Sequence, residues 1–134
     1  MSSVCIDLIT YLDPLVAEAA GTDLFEGPPL ELPVNVVVLT HYAGEAAMDR
    51  AFGPSLTAPG VEVARVQLFV RNTVMSTAKT RADAIHALLD GFAGTISGRT
   101  YFFITAIDGA PSSLGQDSRG NWRWASNYRI QYAR

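Results

Sequence analysis

The closing stretch of the chain, NWRWASNYRIQYAR over residues 121–134, alternates between two kinds of side chain at every second position. This period of two is typical of a long β-strand with one buried face, and it restricts the fold strongly. Four aromatic rings on one face would also suit a stacking platform for a sugar or a nucleic-acid base. One face holds Trp122, Trp124, Ser126, Tyr128, Ile130 and Tyr132, and the other holds Asn121, Arg123, Ala125, Asn127, Arg129, Gln131 and Ala133.

The charges near these rings decide between a core strand and a binding surface. A stacking platform needs rings and cations on one accessible surface, whereas the alternation places the arginines opposite the rings. The chain also has a net charge of −3, which weakens the attraction to phosphates that dominates nucleic-acid affinity. We therefore predict that the rings pack into the core beneath a helix at residues 76–92, and that the polar face meets water or a neighbouring subunit.

Hydrophobic periodicity and the positions of Gly and Pro predict the remaining elements. The helix at 76–92 has Ser76 or a Thr80–Asp83 capping box at its start, and Gly91 at its end. In chain order the predicted segments are a helix at 3–13 capped by Ser2 or Ser3, a loop at 21–33, a strand at 34–42 covered on both faces or centrally placed, a loop at 43–60, a strand at 61–71, the helix at 76–92, a strand at 100–107, a turn-rich loop at 108–120 and the closing strand.

This order of elements predicts the α+β class. We expect a single mixed or antiparallel sheet of about four strands, with the 76–92 helix packed on one face and the N-terminal helix beside it. A chain of 134 residues suits one domain over residues 1–134, because a domain of this size buries roughly two-thirds of the surface that its unfolded chain exposes.

The N-terminal sequence and the single cysteine, Cys5, bear on the compartment. One cysteine excludes an intrachain disulfide. The first twelve residues lack a positive region, and Asp7 interrupts their apolar run, so we expect no signal peptide. No apolar segment approaches the ~20 residues of a membrane span. We therefore expect a protein that is cytosolic where it is made and has no membrane partner.

Charge is divided unevenly along the chain. Residues 1–60 hold eight acidic residues and one arginine, a net charge of −7, whereas residues 61–134 hold nine basic and five acidic residues, a net charge of +4. Such asymmetry can steer subunits onto one another or onto a charged partner. It is equally consistent with an ordinary solvated surface, since halves of a sequence need not be halves of a molecule.

The residues that could carry chemistry show no catalytic or ligand-binding spacing. His41, His86 and Cys5 form neither HxxxH nor CxxC, and no GxSxG motif is present. The glycine-rich stretch at 91–99 follows a helix, whereas a phosphate-binding loop precedes one. We therefore expect no enzyme, and no catalytic, cofactor or metal site.

Nearly the whole chain takes part in a resemblance to a known family. The segments that carry it are YL (11–12), PLELPVNVVVLTHYAG (29–44), VQLFVR (66–71), ADAIHALLDG (82–91) and the closing block 101–132. With these segments the chain resembles the tailed-phage minor capsid proteins that belong with the tail terminators of long-tailed phages. The expanded stretch LVAEAAGTDLFEG departs from the family pattern. The typical residues of its closing block stand here in order as Pro111, Leu114, Gly115, Asp117, Gly120, Asn127 and Tyr128.

The resemblance implies a structural protein of the virion, located at the head–tail junction and assembled in the host cytoplasm. It implies a homo-oligomer, commonly a hexameric ring, that docks on the tail tube protein, stops tail growth and offers a surface to a head-completion or stopper protein. Genomic DNA would pass through the lumen without sequence-specific binding. The candidate interface residues are Arg50, Phe52, Arg71, Asp117, Arg119, Arg123 and Arg129.

Two other functions stay open at this point. The first is a head-completion or stopper protein of the same junction. The second, from a different class, is a small ligand-binding α+β module or a small enzyme, which a pocket with convergent polar groups would favour.

Overall fold

The computed structural model describes residues 3–16, 23–27, 34–45 and 61–133. Within these ranges the chain forms two helices and seven strands. Their bounds are α1 Val4–Leu12, β1 Leu24–Glu26, β2 Val36–Glu45, β3 Val61–Asn72, α2 Met75–Leu89, β4 Gly94–Ile96, β5 Arg99–Ala106, β6 Ser112–Gln116 and β7 Trp122–Ala133. Neither of the described helices is long and apolar enough to cross a membrane.

All seven strands belong to one sheet, in the order β1-β2-β3-β7-β5-β4, with β6 paired to β7. β1 runs parallel to β2 and the other pairs are antiparallel, so the sheet is mixed, and the α+β class is correct. The predicted count of about four strands is wrong. The three additional strands have three to five residues each and lie in segments rich in Gly, Pro and Ser, so local pattern did not reveal them.

The two twelve-residue strands β3 and β7 form the centre of the sheet and pair along their full length, from Val61 opposite Ala133 to Asn72 opposite Trp122. On one side, which we call the core face, Val66 lies opposite Tyr128, and both are buried. The predicted inward side of β7 is confirmed, because Tyr128 and Ile130 lie in the core, with Trp122, Trp124 and Tyr132 packed against it.

The opposite side, which we call the outer face, carries the odd-numbered residues of β7. Four successive residues of β2 are fully buried, so this strand is covered on both faces, as predicted. Phe69 lies between Val38 of β2 and Ala125 of β7, and it is half-buried. Residues 43–45, expected to be loop, extend β2 instead, and residues 46–60 of that predicted loop lie outside the described residues.

Helix α2 packs on the core face through an apolar stripe of Ala78, Ala82, Ile85 and Leu89. Its predicted cap is wrong, because the N-cap position is Val74, which makes no side-chain cap hydrogen bond. Instead, the side-chain oxygen of buried Asn72 accepts from the Val74 amide at 2.9 Å.

Helix α2 stops close to where the sequence predicts. Gly91 has φ +84°, a left-handed conformation that glycine adopts without a steric penalty. Its amide donates to Ile104 O at 2.7 Å, so the helix exit pairs with β5.

Helix α1 lies between the two ends of the curled sheet. It packs against β1 and β2 at one end and against β4 at the other. Ser3, one of the two predicted cap residues, caps it by accepting from the Ile6 amide at 3.1 Å, and the Ser3 hydroxyl also donates to Glu26 of β1 at 2.5 Å. The Tyr11 ring lies 4.5 Å from the Phe92 ring, which joins α1 to the segment after α2.

A fully buried carboxylate, Asp7, lies on the core side of α1. Its Oδ2 is 3.2 Å from Arg99 Nη1 and accepts a short hydrogen bond from the Tyr101 hydroxyl. The Arg99 guanidinium lies 5.2 Å from the centre of the Tyr132 ring. Burial is the main reason that the pKa of Tyr101 is raised, so the phenol stays protonated and donates to the carboxylate. This cluster holds α1 against the β4–β5 hairpin.

Removing the charge of Asp7 tests this link. Asp7→Asn leaves Arg99 without its buried counter-ion, so we expect the free energy of unfolding, measured by urea denaturation, to fall by about 3–5 kcal/mol. Asp13→Asn, at the exposed end of the same helix, should change it by less than about 1 kcal/mol. Adding Arg99→Met to Asp7→Asn should recover part of the loss, since no unpaired charge remains. Equal effects of the two single changes would contradict this role.

Candidate functional site

His86 of α2 has the most enzyme-like surroundings, and they exclude a catalytic role. Its Nδ1 lies 2.9 Å from the Tyr128 hydroxyl and 3.4 Å from Ser126 Oγ. Ser126 is fully buried beneath α2, so no substrate can reach its hydroxyl. Burial raises the pKa of Tyr128 to about 12, which keeps the phenol protonated at neutral pH. His86 therefore joins helix to sheet as a half-buried residue at the boundary of the core.

The lone cysteine, Cys5, is buried and has an unreactive thiol. Cys5 is 1% exposed on the core side of α1, and burial, with a smaller contribution from Glu26, raises the pKa of its thiol to about 12. Because the thiolate is the reactive form, this thiol is neither a nucleophile nor a metal ligand at neutral pH. The described part of the chain holds no group of three or more His, Cys, Asp or Glu that could bind a metal ion.

An open depression lies beside the start of α2. Its lining residues, Ser76, Thr77, Thr80 and Arg81, all come from that one helix. Small-molecule sites usually enclose most of the ligand surface between several elements. A wall on one side only cannot do this, so the depression does not favour a ligand-binding module.

Four of the predicted interface residues gather at one end of the sheet. Arg71 of β3 lies opposite Arg123 of β7. Arg71 Nε donates to Val34 O at 3.0 Å, and Arg123 Nη2 donates to Leu114 O at 2.9 Å. Each guanidinium therefore holds a neighbouring segment onto the outer face, and both side chains are half-buried.

Asp117 and Arg119 belong to the turn between β6 and β7. Asp117 Oδ1 accepts from the amides of Arg119 and Asn121, both at 2.9 Å. These bonds, the Asn121 amide first, lower the pKa of the Asp117 carboxyl. Asp117 therefore shapes the turn, while Arg119 is exposed at its tip. The prediction of a loop over residues 108–120 is wrong for residues 112–116, which form strand β6.

Arg129 lies apart from the other four. It is six residues along β7 from Arg123, about 20 Å at the usual rise of a strand. Its cross-strand neighbours are Arg65 of β3 and Thr105 of β5. The remaining two candidates, Arg50 and Phe52, lie outside the described residues.

Sequence reasoning missed two surface residues, Phe102 and Phe103. Each is 45% exposed, although they lie in a strand whose neighbours Tyr101 and Ile104 are buried. The sequence does indicate that one of them is exposed. Successive side chains of a strand point to opposite faces, so only one of two consecutive phenylalanines can face the core. This strand carries apolar side chains on both faces, and the sequence does not show which face is covered.

Comparisons with known proteins give one match to a family model and one match to a solved fold. The family model described as bacteriophage tail terminator protein matches residues 31–134, which include β2 to β7 and α2. A solved chain from the virion of a native gene transfer agent particle superposes with a TM-score of 0.55 and 16% sequence identity, over 99% of this chain and 87% of that chain. At this identity the likeness shows the fold alone. No curated protein matches the sequence.

The turn at Asp117 makes a pH-dependent prediction. Because its folded-state pKa lies below the usual 3.8, the carboxylate contributes stability above that value and loses it as the pH falls through the folded-state pKa. In an NMR titration, the amide signals of Arg119 and Asn121 should move together with a midpoint below 3.8. Asp117→Asn should abolish this movement. A midpoint at or above the usual value would show that the hydrogen bonds do not form in solution.

Proposed function

The chain belongs to the family of bacteriophage tail terminator proteins, and from this membership we propose that it forms a ring on the end of the phage tail tube. The family consists of structural virion proteins and not of enzymes, so the chain is a structural protein of a phage tail. The match over residues 31–134 is the observation that carries the proposal. The resemblance inferred from the sequence is thereby confirmed.

We propose that the ring stops tail growth and then presents a surface to a head-completion or stopper protein. A subunit with this role needs a contact between two different patches that closes into a ring, here a hexamer, and an axial face that fits the tube. The uneven charge of the chain supports such a contact between unlike surfaces. DNA would pass through the lumen without sequence-specific binding, and the ring would lie at the head–tail junction after assembly in the host cytoplasm.

We also propose that residues 1–134 form one terminator-like domain. The described parts of both helices and of the sheet contribute to one hydrophobic cluster, which supports this assignment.

Deleting the gene tests the terminator role. We expect filled heads beside tails of irregular and excessive length, measured by electron microscopy, because nothing would stop tube polymerisation. Tails of normal length beside heads that leak DNA would assign the chain to the stopper role instead. Normal infectious particles would contradict both.

A charge reversal at the turn tip tests whether this end of the molecule contacts a partner. Arg119→Glu should leave thermal stability nearly unchanged, because the side chain is exposed and the turn is held through backbone amides and Asp117. It should abolish the capping of tails, measured by their length distribution in complementation. Lys79→Glu, on the exposed side of α2, makes the same change of charge and should cap normally. A variant at Arg119 that caps normally would remove this turn from the interface.

A further inference from the structure

The turn between β6 and β7 is fixed by its own side chains. Asp117 Oδ1 accepts from the amides of Arg119 and Asn121, and Asp117 Oδ2 accepts from Asn121 Nδ2 at 3.2 Å. Gln116 Nε2 donates to Gly120 O at 3.0 Å, and the Gly120 amide donates to Asp117 O at 3.0 Å. Gly120 has φ +82°, which glycine adopts without a steric penalty. The turn is therefore ordered by contacts within itself, although it lies at the surface.

Arg119 presents a positive charge at the tip of this turn. Its side chain is exposed, and no carboxylate in the described part of the chain pairs with it. Asp117, two residues earlier, points into the turn, where both of its oxygens accept hydrogen bonds. Leu114 of the same hairpin is 46% exposed, so the surface also offers an apolar contact. The tip thus holds an available guanidinium on a fixed backbone.

A carboxylate on a protein fits this tip better than a DNA phosphate does. Affinity for DNA grows with the number of phosphates that a protein neutralises, and a single arginine neutralises only one. At protein contacts, by contrast, one arginine that enters a complementary recess often carries much of the binding energy. Because the turn is already ordered, such a contact costs less conformational entropy than it would in a flexible loop.

We propose that Arg119 enters an acidic recess on the end of the tail tube, and that Asp117 and Gln116 are positioning residues for this contact. One turn is small against the roughly 20–30 residues that each partner contributes to a stable interface, so it cannot join two isolated copies. Repeated once per subunit around a ring, the same contact gains strength from multivalency, which favours the tube end as the partner. This inference rests on the proposed ring and names the chemistry of its docking contact.

Docking on tails from the gene deletion tests the arginine. Labelled chain is sedimented with these tails, which gives its half-saturating concentration. Arg119→Gln should raise this concentration about tenfold or more and remove most of its salt dependence, because salt screens a contact between exposed charges. Lys79→Gln, which removes the same charge from the exposed side of α2, should change neither quantity. Equal docking by Arg119→Gln and the natural chain would overturn the proposal.

A double-mutant cycle tests the positioning role of Asp117. In the natural chain, Asp117→Ala should raise the half-saturating concentration about threefold to tenfold, with folding verified by circular dichroism. In the Arg119→Gln background it should have little effect, because Asp117 acts through Arg119. Gln116→Ala, which removes a single bond to Gly120 O, should follow the same pattern with a smaller effect. Equal fold-changes in both backgrounds would contradict the positioning role.

Photo-crosslinking on the docked tails identifies the partner. With p-benzoyl-phenylalanine in place of Ser118, which is exposed beside Arg119, the expected product joins this chain to the tail tube protein. Mass spectrometry of the linked peptide should find Asp or Glu next to the linked position. The same group in place of Asp83, exposed on α2, should not link to the tube. Linkage of position 118 only to a second copy or to DNA, or no linkage, would reject the tube as the partner.

The gene deletion separates this inference from the function itself. Overlong tails in the deletion, together with normal docking by Arg119→Gln, would leave the terminator role intact and reject the arginine contact. Tails of normal length in the deletion would reject the terminator role whatever the docking assay shows.

Discussion

The buried contact of Asp7 with Arg99 and Tyr101 holds the two ends of the curled sheet around one core. A charge in the interior is tolerated only when it is paired and hydrogen-bonded, so α1 has to pack with Asp7 within reach of Arg99 and Tyr101. From there Ser3 reaches Glu26 on β1, and the Tyr11 ring reaches Phe92 after α2. The positions of both sheet ends therefore depend on one helix of nine residues.

Both described helices pack on the same side of the sheet, so its two faces differ in what covers them. Both helices cover the core face, which holds the rings of β7. Substitutions of residues on this face therefore change the stability of the fold. Neither described helix packs on the outer face, where Phe102 and Phe103 of β5 are 45% exposed and the arginines of β7 are half-buried. Because the aromatic side of β7 packs into the core, a partner that contacts this strand would have to contact its polar side.

The predictions that failed share a cause. β1, β4 and β6 have little hydrophobic pattern, because each is a short strand completed by hydrogen bonds to a neighbour distant in sequence or across a turn. Nor does the sequence show that Arg71 and Arg123, two of the candidate interface residues, hold segments of their own chain. In the sequence, Asp7 is visible only as a break in an apolar run. Its partners lie more than ninety residues away, and no local pattern can reveal them.

The sequence by itself determined the elements whose pattern is long and local: helix α1 with its Ser3 cap, helix α2 with its stop at Gly91, and the strands β2, β3, β5 and β7. It also determined which side of β7 faces the core, because alternation is a property of neighbouring residues. Only the tertiary structure decided the number of strands, the pairing of Asp7 with Arg99, and the exposure of Phe102 and Phe103. These depend on register, on a bulge and on contacts between distant segments, which arise from packing the whole chain.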